Sequence, residues 1–324
     1  MQSLLERKLL VITGKGGVGK STMAAAIGLL AAREGRRTVV VELGEQSRLA
    51  ELFGASLGEP GEEIGLERNL SSISIDPDQA LLEWLQALGG RVSGRLLASS
   101  GTFQYFAAAA PGAKELVSMV KIWQLTRGGR RGRRAHDLVV LDAPATGHAL
   151  GLLASPRTFG AIARVGPIAG QTRQLQELLQ DRSRTAYLAV ALASEMAVTE
   201  ALELQEGLER ELERELATVI VNGLLPRRFT PGEMSRIEKL ERAAHAGDAP
   251  RRSAGARNGA GAPDVARAAA RAARAVHERS RFQHNQLARL RRRSFEVLAV
   301  PFVWGENLDL AAVRTIAERL GRKL

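Results

Sequence analysis

One short stretch carries the densest chemical signal in the chain. Residues 14–22 read Gly-Lys-Gly-Gly-Val-Gly-Lys-Ser-Thr, which matches G-x-x-x-x-G-K-S/T at Gly14, Gly19, Lys20 and Ser21. Each residue type has a task in holding a polyphosphate. Gly14, Gly16, Gly17 and Gly19 let the backbone turn, so that N–H groups running through Val18 to Thr22 face phosphate oxygens. A helix starting near Lys20 points the positive end of its dipole at the same anion. Lys20 would reach the β- and γ-phosphates, and Ser21 would supply a hydroxyl ligand to Mg2+. A second ligand is expected from Asp142, which ends the apolar run Leu138-Val-Val-Leu and would hold the ion through water. The expected ligands are therefore ATP and Mg2+.

Such a loop works only between a strand and a helix, and both flanks are present. Residues 8–13 form a short apolar run that is β-branched at its end and is followed at once by glycine. From Ser21 to Glu34 the chain is rich in Ala and Leu and stops near Gly35, as a helix with a glycine terminator does. Further buried strands are expected at 38–42, 138–141, 188–192, 218–221 and 297–300. Strands of this kind separated by helical segments predict an α/β fold of the P-loop NTPase type, a mainly parallel sheet with helices on both faces. Residues 77–134 and 155–185 are too long for simple crossovers and read as an inserted helical subdomain. The composition of 249–264 predicts a flexible basic loop, and 265–293 an Ala/Arg helix. The whole of 1–324 reads as one domain.

Composition narrows the chemistry. Apolar residues make up 45% and charged residues 25% of the chain, ordinary globular values. There is no cysteine, which excludes disulfides, thiolate zinc sites, iron–sulfur clusters and capture of metalloids on thiols. No stretch approaches the ~18 uninterrupted apolar residues of a membrane-crossing helix, and no secretory leader is read before the first strand. A cytoplasmic protein is expected. Residues 250–293 hold twelve arginines against Asp264 and Glu278, a net +10 of the chain's +11. The basic character is therefore local. Only seven of the 46 basic residues are lysine, so arginine dominates throughout and nucleic acid is not an expected partner.

The second lysine of the loop, Lys15, carries a resemblance. Gly-Lys-Gly-Gly-Val-Gly-Lys-Ser-Thr resembles the deviant Walker A ATPases, whose extra lysine reaches the partner's nucleotide across a dimer. By that resemblance Lys15 implies a homodimer, or a heterodimer with a related ATPase, closed around ATP. Within that group, Asp142-Ala-Pro-Ala-Thr-Gly-His148 is similar to the switch of the ArsA-type anion-transporting ATPase family, with the proline one place early. The resemblance implies a switch at Thr146, Gly147 and His148; a capping or packing histidine is the other reading of His148. Ala110-Pro-Gly-Ala-Lys-Glu-Leu116 and Ser194-Glu-Met-Ala-Val-Thr199 also fit the family's order. Asn222 stands where the family reads adenine, although a strand-end asparagine is also a common turn residue. Val300-Pro301-Phe302 is similar to the second adenine-contacting loop. The likeness covers most of the chain and is weakest from 226 to 293.

One departure bears on catalysis. After the second strand the family carries an aspartate that orients the attacking water. Aligning Leu49 and Phe53 with the family's leucine and phenylalanine puts Gly44 at that place. Glu45 or Glu42 could stand in, and Glu42 could equally support Mg2+; otherwise both are ordinary loop acids and turnover is slow or lost.

Three functions follow from these expectations. The first is a nucleotide-driven dimeric switch that grips a hydrophobic protein client through an apolar groove between Leu81 and Trp123. Trp84, Phe103, Tyr105, Phe106 and Met119 are candidates for that groove or, more simply, core residues. The second is a low-turnover regulatory subunit that pairs with a related ATPase. The third is a positioning ATPase of the ParA or MinD kind, using the basic segment on DNA or lipid.

Overall fold

The computed structural model describes residues 4–59, 61–88, 112–127, 135–162, 167–246, 262–305 and 308–323. In chain order the elements are β1 (Leu9–Thr13), α1 (Lys20–Arg33), β2 (Thr38–Leu43), α2 (Arg48–Leu52), β3 (Glu63–Glu67), β4 (Leu70–Ile75), α3 (Pro77–Leu88) and α4 (Ala113–Arg127). They continue with β5 (Leu138–Asp142), α5 (Thr146–Ile162), α6 (Pro167–Gln180), β6 (Thr185–Leu192) and α7 (Glu195–Leu212). The last are β7 (Leu216–Leu224), α8 (Pro231–Ala246), α9 (Ala262–Leu290), β8 (Glu296–Pro301) and α10 (Leu310–Gly321).

Among the described residues the strands form one eight-stranded sheet in the order β3-β4-β2-β5-β1-β6-β7-β8. All neighbours are parallel except β3 and β4. A parallel sheet must be covered on both faces, which is why its central strands are apolar on both. Every residue of β1 is buried, as are the first five of β2 and the first four of β5. Helix α1 packs on β1, β2 and β5, with α10 against it. Crossovers running the other way along the sheet place their helices on the opposite face. There α4, α5 and α6 pack on one another, and α7 packs on α5, β6 and β7. Met23, Ile27 and Leu29 of α1 are fully buried, each worth about 1.5–3 kcal/mol.

All six expected strands are present, and the α/β class is that expected. The pair β3–β4 was not expected. The sequence of β4, Leu70-Ser-Ser-Ile-Ser-Ile, looks polar, yet Ser72 and Ser74 are buried. Hydrogen bonds to the loop after β2 satisfy both hydroxyls, so serine is tolerated in a buried strand. The signal for the hairpin was Asn69, which holds φ 63 at its turn. Leu81, Met119 and Trp123 are buried in the core, and Trp84 packs against it. Leu81, Met119 and Trp123 therefore build the helical layer, with their apolar area covered. Phe103, Tyr105, Phe106, Ala110 and Pro111 lie outside the described residues, as does most of the 249–264 loop. The Ala/Arg helix starts and ends three residues earlier than expected.

Candidate nucleotide site

β1 is flanked by β5 on one side and β6 on the other, while its own crossover runs past β5 to β2. This is a topological switch point, and the crevice at the carboxyl ends of such strands is where open α/β sheets hold ligands. Residues 14–19 join β1 to α1 at that crevice, as expected. Gly14 has φ 141, and an added Cβ would stand 2.1 Å from Val190 O on β6. Only glycine lets the loop leave the strand this close to its neighbour.

The N-terminus of α1 differs from its counterparts. The N-terminal amides of α2, α7 and α10 are met by the side chains of Ser47, Ser194 and Asp309. α1 begins after Gly19 with no side-chain cap, so its first N–H groups remain for an anion. Lys20 Nζ donates to Lys15 O at 3.1 Å. Burial pushes the Lys20 ammonium below the ordinary lysine value, against the charges of Asp142 and Glu200.

Ser21 Oγ donates to Asp142 Oδ2 at 2.5 Å, joining the start of α1 to the end of β5. Asp142 Oδ1 and Thr146 Oγ1 are buried without a hydrogen-bond partner. Burial raises the Asp142 carboxyl above its ordinary value, while Ser21, Lys20 and Arg48 hold it down. A hydroxyl and a carboxylate with an unsatisfied oxygen are hard donors. Mg2+ takes such a set together with water and phosphate oxygens, so these residues fit that ion. No group of three or more His, Cys, Asp or Glu able to hold a metal exists among the described residues, and phosphates would have to complete the shell.

The loop after β2 places the candidate carboxylates. Glu42 is 6% exposed and lies opposite Asp142 in the β2–β5 register. Its carboxylate accepts from Ser47 Oγ at 2.6 Å and from the amides of Arg48 at 3.1 Å and Leu49 at 3.3 Å. Burial raises its pKa, and Ser47 opposes the rise. Glu42 thus closes the start of α2, a use that draws its oxygens away from an attacking water. Since Ser47 gives its proton to Glu42, Ser72 is the donor in their 3.1 Å contact. Gly44 donates its N–H to Ile75 O at 3.0 Å, and its carbonyl accepts from Ser74 Oγ. Its φ is 153, with open space where a Cβ would be. Glu45, next to it, is exposed.

Lys15 Nζ lies 3.5 Å from Glu200 Oε1 on α7. Thr146, Gly147 and His148 form the first turn of α5. Gly147 and His148 are exposed there. Thr13 Oγ1 donates to Pro144 O at 2.8 Å, tying that turn to the end of β1.

On the other side of the loop, Asn222 Nδ2 donates to Val18 O at 2.9 Å, leaving its Oδ1 available. Asn222, Phe302 and Trp304 line a cavity of about 1100 Å3 that opens onto Gly17, Val18 and Thr22. Phe302 is tied to β7 by its amide, which donates to Leu224 O at 3.0 Å. Phe302 and Trp304 meet edge to face at 4.8 Å, and Arg228 stacks on Trp304 at 5.3 Å. Pro301 ends β8 and is itself exposed. Three residues at the site carried no signal in the sequence. Arg48, Glu200 and Gln283 are isolated polar residues that only folding brings there. Trp304, two places after Phe302, was the one within reach of an argument from position.

A family model described as anion-transporting ATPase matches residues 7–168. ATPase BagA of Mycobacterium tuberculosis (strain ATCC 25618 / H37Rv) is 31% identical over 243 residues, covering 72% of this chain and 70% of that protein. ATPase GET3 of Paracoccidioides lutzii is 27% identical over 177 residues, 53% of this chain and 50% of its own. ATPase GET3 of Pyricularia oryzae is 26% identical over 179 residues, with 53% and 51% covered.

Proposed function

Because the chain belongs to the anion-transporting ATPase family, we propose that it is a dimeric, cytoplasmic, ATP-driven switch whose own hydrolysis is slow. The observation that carries this reading is the 2.5 Å contact between Ser21 and Asp142. It brings the loop hydroxyl and the strand-end carboxylate together beside Lys20, with one Asp142 oxygen left over. In this reading the loop amides and Lys20 hold the phosphates, and Ser21 and Asp142 hold Mg2+. When bound, the ion neutralises charge on the β- and γ-phosphate oxygens. Asn222, Phe302 and Pro301 border the adenine, with Asn222 Oδ1 as acceptor for its amino group.

Turnover is slow because nothing at Gly44 can orient water. Glu42 is committed to the start of α2. Glu45 is the remaining carboxylate on that loop, and it is the group we assign to residual hydrolysis. Thr146, Gly147 and His148 follow Asp142 after three residues, so a change in what Asp142 holds passes into α5. α5 packs on α4, α6 and α7, which gives the switch a route into the helical layer. There a hydrophobic client would be gripped and released. Lys15 acts across the dimer on the partner's nucleotide.

A second reading, a regulatory subunit that binds ATP and relies on a related ATPase for hydrolysis, is favoured by Gly44 itself. Calorimetry and steady-state turnover on the pure protein separate the two, with Lys20→Ala as control. Binding that needs Mg2+ and is lost in Lys20→Ala supports the site. Slow turnover abolished by Glu45→Ala supports the enzyme, and no turnover with intact binding supports the subunit. ATP binding equal in parent and Lys20→Ala would sink both.

A further inference from the structure

The phosphate loop carries two lysines, and in this structure the chain's own groups hold both. Lys20 Nζ donates to Lys15 O, which places Lys15 at the β/γ end of the site, where Lys20 works. Lys15 Nζ lies 3.5 Å from Glu200 Oε1, with each side chain 32% exposed. Glu200 stands in the second turn of α7, a helix braced on β6 and α5. Its charge also acts on Lys20. The other Glu200 oxygen, Oε2, is buried and has no hydrogen-bond partner.

That last fact argues against a purely structural pair. A half-exposed ion pair contributes little to stability, while a buried, unpaired carboxylate oxygen is unfavourable. A fold selected for stability alone would not keep it. The geometry fits a different use. A bound triphosphate and the Glu200 carboxylate are like charges that compete for one ammonium.

We propose that Glu200 is a positioning residue, the internal counter-anion of the phosphate loop. It keeps Lys15 on its own chain until, in the closed dimer, the terminal phosphate of the partner's ATP takes the lysine over. The proposal rests on residues 14–22 being the ATP site. Glu200 therefore weakens ATP binding, and it ties release of Lys15 to arrival of the nucleotide.

The test is calorimetry with Mg·ATP on the full chain, comparing parent, Glu200→Gln, Lys15→Met and the double variant. Glu200→Gln is expected to bind ATP roughly 3- to 10-fold more tightly at low salt. The gain should shrink near about 0.5 M salt, where charges are screened. It should be absent in the Lys15→Met background. A structural role would instead lower the melting temperature of the nucleotide-free protein, independently of Lys15 and of salt. Unchanged or weaker ATP affinity in Glu200→Gln overturns the proposal, and so does a gain of equal size without Lys15. If the parent binds no ATP, or Lys20→Ala binds it as well as the parent, the ATP site itself fails and the counter-anion falls with it.

Discussion

Asp142 and Glu42 face each other across neighbouring strands, and burial raises both carboxyls above their ordinary values. For an acid whose folded pKa is raised, the fold favours the protonated form. That contribution is fully present below the unfolded pKa and is lost as pH rises through the folded pKa. The nucleotide-free protein should therefore lose stability as pH rises past the ordinary carboxylate range. Asp142→Asn removes one of these charges and can still accept from Ser21. It is expected to raise the melting temperature at neutral pH, by roughly 2 °C if the charge costs about 1 kcal/mol. The difference should close near about pH 4. The same variant should lose the Mg2+ dependence of ATP binding, and thermal melts across pH with and without Mg·ATP check both. Gly44→Asp is a poorer repair than its open space suggests. The φ of 153 is strained for any other residue, and β4 fixes the Gly44 amide and carbonyl. The variant should be destabilised by about 1 kcal/mol or more, and turnover should not rise.

Between residue and fold stands the segment from β2 to α2, whose turn is held by a chain of hydrogen bonds. Glu42, Ser47 and Ser72 form one buried chain, and Ser74 holds the Gly44 carbonyl. Polar chains of this kind specify one geometry when every member is satisfied. Glu42→Ala breaks the chain and leaves Ser47 and two amides without their acceptor. A loss of about 1–3 kcal/mol is expected, read from denaturant midpoints, with ATP affinity changed far less because the phosphate loop is a separate element. An ATP affinity that fell as far as that of Lys20→Ala would instead place Glu42 in the site. The same segment shows why β3 and β4 were not legible: buried serines mimic a loop until the partners that satisfy them are known.

At the scale of the molecule, β1 lies at the point where crossovers turn both ways, and residues 14–22 occupy the crevice that results. Binding there should stabilise the whole domain by mass action, about 2.7 kcal/mol at a ligand concentration a hundred times Kd. In the dimeric reading ATP drives two copies together, and Lys15→Ala should bind ATP yet remain monomeric. Light scattering with ATP, ADP and no nucleotide measures this. A parent that stays monomeric with ATP rules out the homodimer. Among the described residues no helix is long and apolar enough to cross a membrane.

The phosphate loop, the strand-end aspartate and the six apolar strands were legible because each is a local pattern. Glycine spacing, an apolar run and an acid at its end are fixed by neighbours along the chain. The fold class followed from their alternation. Contacts between distant residues were not legible. No pattern in the sequence says that Glu200 meets Lys15, that Glu42 turns to the start of α2, or that Trp304 and Gln283 border one cavity with Asn222. Those pairings depend on which strands lie side by side and how far each helix projects, and packing of the whole sheet settles both. The sequence by itself determined the chemistry available at residues 14–22 and 142. Tertiary structure alone decided which charges meet it, because a charge acts over a few ångströms of space and not along the chain.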